Sequence, residues 1–403
     1  MKLPKKAKLI ALGLLLSLNF ACGNGKQSKV QGHYEETTEE AMEVFRGNQF
    51  AVPEYAPTES VILGMPALDL FQREDLVAAI LAAGAEKVFL TTRAGSSTSI
   101  NRANLQRLRN LLGSDINRVE IVNQAAAGGL TVWARDWAPI GARTLNSFSD
   151  ELRLVDFNYY PRRKADDATA RAMETIYSLD RVSVPVYNEG GNFMNNDVGH
   201  CMMTARVTEA NRRKYRANDL ILDATQIKSY YRDFTGCSKV TIFPRMPNEG
   251  TGHIDMWAKF LTNDVVLVNE MRPETINLTH EGSANRRAAN AMKSYLDERA
   301  TEIAADGYEV VRVPMPSPII GGNNIVRSYS NSLIVNKTAI VPRYTRPAAL
   351  SPSYADASLI AAYEAEVTAA YEAAGFEVVY IDADRLIASG GAIHCITMQL
   401  PRL

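Results

Sequence analysis

From residue 61 to residue 381, short β-branched and apolar runs alternate with amphipathic helical stretches, and no Pro/Gly/Ser-rich linker interrupts residues 51–403. That rhythm constrains the fold more than any single motif, because the change of hydrophobic period along the chain specifies where strand gives way to helix. Strands are expected at Val61-Ile62-Leu63-Gly64-Met65, at Val88-Phe89-Leu90 and at Val119-Glu120-Ile121-Val122. Further strands are expected over 152–157, 182–187, 240–243, 257–268, 308–313 and 376–381, with one or two more over 333–341. Helices are expected over 99–112, 166–178, 280–305 and 353–374. In the first of these, Ile100, Leu105, Leu108, Leu111 and Leu112 share one face; in the last, Ser353 and Asp356 can cap the start and Gly375 the end. About five strand-helix-strand units of roughly 60 to 75 residues fit this pattern, an α/β body. A chain beyond about 300 residues usually divides into domains, yet nothing here marks a boundary. Units repeated around an axis resolve that tension, and a ring of small sheets leaves a central channel where residues distant in sequence can meet.

The start of the chain is different material. Lys2, Lys5, Lys6 and Lys8 precede an apolar run over 9–18 that is too short to span a bilayer, so residues 1–21 read as an export signal. Ala21-Cys22 resembles a bacterial lipoprotein cleavage site, although Asn19 stands where such sites usually carry Leu. Lipid attachment at Cys22 in the cell envelope is therefore expected, with plain secretion as the alternative. Residues 22–50 read as a polar, flexible tether with a short helix near 39–45, and 51–403 as one catalytic domain with no domain appended after it. The net charge of the 403 residues is -1, so no basic excess points to nucleic acid. With Cys22 and Cys395 assigned elsewhere, Cys201 and Cys237 are either a disulfide pair, which an oxidising compartment permits, or two buried thiols.

Four segments interrupt the strand pattern with polar residues among aromatics and glycines. They are Trp133-Ala134-Arg135-Asp136-Trp137-Ala138-Pro139, Glu189-Gly190-Gly191-Asn192, Gly252-His253-Ile254-Asp255-Met256-Trp257 and Gly390-Gly391-Ala392-Ile393-His394-Cys395. Two glycines ahead of Cys395 allow close backbone approach, and the thiol reads as a nucleophile; a buried Cys in a final strand is the competing reading. On a strand, His253 and Asp255 would share a face, either toward a site or toward solvent at an edge. Of the five histidines, His33 lies in the tether, His280 opens a helix, His200 has only Asp197 spaced to orient it, and His394 would point away from Cys395 in an extended strand. His253 is the candidate base.

The strings ARDWAP, EGGN, GHIDMWAKF, SYSNSL and GGAIHC occur in that order, after an opening Pro53-Glu54-Tyr55-Ala56-Pro57. Over residues 50–403 the chain resembles the guanidino-group-modifying superfamily, specifically the agmatine deiminases and bacterial-type peptidylarginine deiminases. The resemblance implies a pentein, five ββαβ units around a pseudo-fivefold axis. It also implies roles: Asp136 and Asp255 grip a guanidinium, Cys395 adds to its carbon and His253 moves protons. Asn331 matches an active-site Asn of the protein-modifying branch, expected to orient His253 or the intermediate. Glu189 is expected to bond His253 or to brace the turn at Gly190 and Gly191, and Trp133 to line the substrate. Ala138 departs from the Gly usual in the family. The chemistry is coherent: a guanidinium is planar and permanently charged, forked carboxylates hold its carbon in place, and a bound cation lowers a neighbouring thiol pKa. An amide-cleaving cysteine hydrolase would need donors where these aspartates present acceptors.

Arg162 and Arg163, within Asp156-Phe157-Asn158-Tyr159-Tyr160-Pro161-Arg162-Arg163, resemble the loop with which the bacterial peptidylarginine deiminase grips a terminal carboxylate; a solvated basic corner is the competing reading. The resemblance therefore implies conversion of arginine in peptides or proteins to citrulline, with ammonia released through a Cys thiouronium. The alternatives are agmatine converted to N-carbamoylputrescine, and a non-catalytic guanidine-binding lipoprotein. Neither an EF-hand-like acidic array nor a zinc-spaced Cys/His cluster occurs, so no metal or other cofactor is expected. The expected partners are an arginine-containing peptide or a small guanidine, with membrane contact only through lipid at Cys22.

Overall fold

The computed structural model of the chain describes residues 49–93, 98–124, 126, 128–145, 150–317, 326–344 and 356–403, all within one unit, Gln31–Leu403. The expected export signal, Cys22, the helix near 39–45 and Ser353 lie outside the described residues. Five small sheets organise what is described, of four, three, three, three and four strands.

Each sheet repeats one construction, an antiparallel hairpin followed by a helical crossover to a parallel strand. It runs through Ile140–Leu145, Asp150–Asn158 and Asp180–Tyr187, with Gln49–Ala51 added at the edge. It recurs in Met194–Asn195, His200–Thr204 and Lys239–Phe243, in Ala258–Phe260, Val265–Glu270 and Glu309–Pro314, and in Leu333–Val335, Thr338–Arg343 and Glu377–Asp382. The remaining sheet takes its antiparallel strand from the far end of the chain. Thr397–Pro401 pairs with Thr58–Gly64, which runs parallel to Lys87–Arg93, itself parallel to Val119–Gln124. The C-terminal strand thus completes the first unit, and the residues just before it are carried to where the other units meet.

Several elements differ from expectation for local reasons. The runs over 257–268 and 333–341 fold as hairpins, the second turning at Asn336, whose φ of 54° is one that Asn tolerates. The helix expected over 166–178 is two pieces, Lys164–Asp167 and Thr169–Tyr177. The long helix begins at Ala284, where the Ser283 side chain accepts from the Arg286 N–H. Gln49 and Phe50 belong to a strand rather than to the tether. Asp356 caps the helix Ala357–Ala373 as expected, and Gly375 follows it with a φ of 88°.

Cys201 and Cys237 form a disulfide across 36 residues. Closing a loop of that length removes denatured-state entropy, so replacing both with serine is expected to cost about 3 to 4 kcal/mol. A guanidinium unfolding curve with an unchanged midpoint would contradict this. Trp257 is fully buried and meets Phe243 and Tyr295 edge-on at 5.5 Å. Those contacts pin the segment carrying His253 and Asp255 against the helix Ala284–Ala305, setting the sheet packing that positions the site.

Candidate active site

In every unit, the residues just ahead of the first hairpin strand make a tight passage into the sheet. Four are single helical turns: Ala134–Trp137, Gly190–Asn192, Ile254–Met256 and His394–Ile396. The fifth, Ser330-Asn331-Ser332, leads into Leu333–Val335. A three-residue turn fans consecutive side chains around an axis instead of alternating them between two faces. Asp136, Gly191, Asp255, Asn331 and Cys395 all sit in these equivalent places, one from each unit.

Gly191 marks the point of convergence. A Cβ added there would lie 2.7 Å from His253 Nδ1, 3.0 Å from Asp255 Oδ2 and 3.1 Å from Asp136 Oδ1. No larger residue fits without displacing these groups. Gly391 makes the same kind of room beside the nucleophile, 2.8 Å from Cys395 Sγ and 2.7 Å from the Trp133 ring by the same construction. Cys395 Sγ is 3.8 Å from Asp255 Oδ2 and 3.2 Å from Asn331 Nδ2. His253 Nδ1 stands 3.7 Å from Asp136 Oδ1, while its Nε2 meets Glu189 Oε2 at 3.0 Å. A cavity of about 230 Å³ opens onto Cys395, His253 and Asp136, with Trp133, Glu189 and Arg163 in its wall.

Two expectations change and one narrows. Asn331 lies against the sulfur, where its amide also accepts from the Ala392 N–H at 3.2 Å, and makes no described hydrogen bond with His253, so of its two expected roles the geometry leaves the one at the intermediate. Arg162 and Arg163 are both exposed, and of the two only Arg163 lines the cavity. His394 lies in a helical turn and not in the extended strand expected, and its buried ring, far from idle, reaches Asp255. One residue escaped sequence reasoning altogether. Arg206 forks onto Glu189 at 2.6 and 3.0 Å, a bidentate grip, and nothing in its sequence neighbourhood signals it.

Residues 50–401 match the family model described as Porphyromonas-type peptidyl-arginine deiminase. The chain belongs to this family. A relative from Vibrio parahaemolyticus serotype O3:K6 (strain RIMD 2210633), provisionally named an agmatine deiminase, is 24% identical over 328 residues, covering 74% of this chain and 81% of its own. The solved agmatine deiminase of Enterococcus faecalis superposes with a TM-score of 0.64 at 18% identity, over 89% of this chain and 97% of that one. A Porphyromonas gingivalis structure, provisionally named an arginine deiminase, gives 0.63 at 21% identity over 88% and 98%. These likenesses establish the pentein fold, and the family is one of hydrolases acting on guanidino C–N bonds.

The electrostatics of this deiminase follow from burying many charges together. Burial pushes Asp136 up from the ordinary carboxylate range, and Glu189 and Asp255 add to the shift against the pull of His253. Burial alone would lower His253, but the carboxylates of Asp136 and Glu189 outweigh it and hold the ring as imidazolium well above its usual range. Glu189 is held low despite burial by hydrogen bonds from His253 and Arg206. The Cys395 thiol is pushed well up by burial and by Asp255 and Asp136, so the empty site favours thiol over thiolate. A bound cation reverses that balance. Neutral iodoacetamide is therefore expected to alkylate Cys395 slowly at pH 7, with a rate still rising through pH 9. Relative to a free thiol, a cationic haloamidine should react about 100-fold faster than the neutral reagent. Equal relative rates would show that the site does not couple thiol ionisation to a bound cation.

Proposed function

We propose that the protein hydrolyses a guanidinium to a ureido group and ammonia at Cys395. The observation that carries this is the meeting of Asp136, His253 and Asp255 around Gly191, with the Cys395 sulfur 3.8 Å from Asp255. Asp136 and Asp255 hold the planar cation by its N–H groups, and Asp255 Oδ1 is buried with no partner among the described residues, an acceptor that such a donor satisfies. The bound charge stabilises the thiolate, so the thiol proton passes to solvent and is finally carried off on the released ammonia as ammonium, and the thiolate attacks the guanidinium carbon. His253 gives a proton to the departing nitrogen, the C–N bond breaks and ammonia leaves. Water then loses a proton to His253 and adds to the thiouronium carbon; the C–S bond breaks, the hydroxyl proton passes to the departing sulfur to restore the thiol, and the urea is released. Glu189 and Arg206 hold the imidazole, and the Asn331 amide steadies the sulfur.

For the substrate, the names of the curated relatives and of the E. faecalis enzyme support agmatine. A second reading, arginine bearing a free carboxylate, is supported by Arg163 in the cavity wall, since agmatine has no carboxylate for a guanidinium to grip. Ammonia release should be measured with agmatine, free arginine, and peptides with internal or C-terminal arginine. Preference for agmatine supports the first reading. Preference for C-terminal arginine, lost in Arg163→Ala, supports the second. Binding without ammonia from any of them would leave a guanidine-binding protein and end the proposal. Export through residues 1–21 and lipid at Cys22 belong to the same proposal, supported by the Cys201–Cys237 disulfide, a bond that persists in oxidising compartments. A Cys22→Ala chain that still partitions with membranes would rule out the lipid.

A further inference from the structure

Joined to Asp255 lies a row of buried charged groups that the reaction as written does not use. His394 Nδ1 is 2.7 Å from Asp255 Oδ2, and His394 Nε2 is 2.7 Å from Glu54 Oε2. Glu54 is fixed in turn: Oε2 accepts from Lys259 Nζ at 2.8 Å, and Oε1 from the Ile334 N–H at 2.9 Å. His394, Asp255 and Lys259 are each almost entirely buried, with residue exposures of 3 to 4%. Glu54 comes from the opening Pro53–Pro57 segment, Lys259 and Asp255 from the fourth unit, and His394 from the turn that also carries the nucleophile. Three separate stretches of chain therefore converge on one carboxylate.

This arrangement is costly unless it accomplishes something. Removing four charged or polar groups from water is repaid only when every one is closely paired, and a well-packed apolar wall would have sealed the protein as well. The His394 imidazole lies between two carboxylates, with one at each ring nitrogen. Asp255 Oδ2, the oxygen nearest the point of convergence and the sulfur, is held by His394, and Oδ1 has no partner among the described residues. A carboxylate held at one oxygen cannot rotate to offer the other, and despite its burial the hydrogen bond to His394 keeps it ionised. The same turn puts Cys395 next in sequence, so the grip on Asp255 also sets the 3.8 Å spacing between carboxylate and sulfur.

We infer that His394 is a positioning residue for deimination, acting through Asp255, with Glu54 and Lys259 as its anchor. The inference deepens the proposed chemistry and rests on Asp255 gripping the guanidinium. His394→Gln is expected to lower kcat/KM about 100-fold, the effect typical of losing a supporting hydrogen bond behind a functional group. Glu54→Gln keeps the volume and the Ile334 contact and should cost about tenfold.

The decisive measurement is a double-mutant cycle with Asp255→Asn, scored per titrated Cys395 so that misfolded protein does not count. If His394 works through Asp255, then His394→Gln and Glu54→Gln each change the Asp255→Asn enzyme by less than about twofold, because the effects are not additive within one network. Full additivity, or a His394→Gln enzyme within about twofold of the natural one, overturns the inference. Should His394→Gln fail to fold, Glu54→Gln carries the same cycle. If the natural protein releases no ammonia from any guanidine, the proposed function fails by itself. The cycle is then read on agmatine affinity by calorimetry, where coupling supports the role of His394 and additivity overturns it.

Discussion

Replacing Cys395 with alanine is expected to stop ammonia release, lowering turnover by at least about 10⁴-fold, as loss of a nucleophile that acts as part of a unit does. Cys395 is the one free cysteine among the described residues, and its sulfur sits between Asn331 Nδ2 and Asp255 Oδ2. Guanidine binding should survive, because both aspartates that hold the cation remain and removing the sulfur leaves only a small space. Calorimetry with agmatine would record retained affinity beside absent turnover. Acid-quenched natural enzyme should show by mass spectrometry an adduct on the peptide holding Cys395. Turnover that persists in Cys395→Ala would move the nucleophile elsewhere and undo the proposed chemistry.

Asp255→Asn should be nearly as severe, with kcat/KM down about 10³-fold, equivalent to about 4 kcal/mol of transition-state stabilisation. The change keeps the shape while removing the charge opposite the guanidinium, and it leaves His394 facing a neutral amide. It also carries a signature that general damage would not produce. Asp255 is among the groups that push the Cys395 thiol up, so its neutralisation makes the thiol more acidic. Alkylation by neutral iodoacetamide at pH 7 should therefore speed up while deimination collapses. A slower alkylation would mean that Asp255 activates the sulfur instead of holding the substrate.

Much of this site was legible because its polar residues interrupt otherwise apolar strand patterns. Asp136, His253, Asp255 and Cys395 stand in segments where buried strands would carry hydrophobic residues, and the structure brings all four together. His394 was misread because alternation was assumed across a stretch that is a helical turn. A local period cannot report where a strand has given way to a three-residue turn when tertiary contacts stabilise that turn. Arg206 was invisible, and the partner of Glu54 unsignalled although the opening Pro53–Pro57 segment was noticed, for a different reason. Each is an ordinary charged residue whose partner, Glu189 or His394, becomes a neighbour only through sheet packing.

The alternation of short strands and helices, read from residue types alone, pointed to about five similar units in one body, and the ordered strings from ARDWAP to GGAIHC carried the resemblance that implied the class of chemistry. Only the folded chain decided which groups share a point. Cys395 reaches Asp255 because Thr397–Pro401 pairs antiparallel with Thr58–Gly64, joining the last strand to the first unit. Hydrogen bonds between segments more than 300 residues apart depend on the whole fold closing, and no local propensity encodes them.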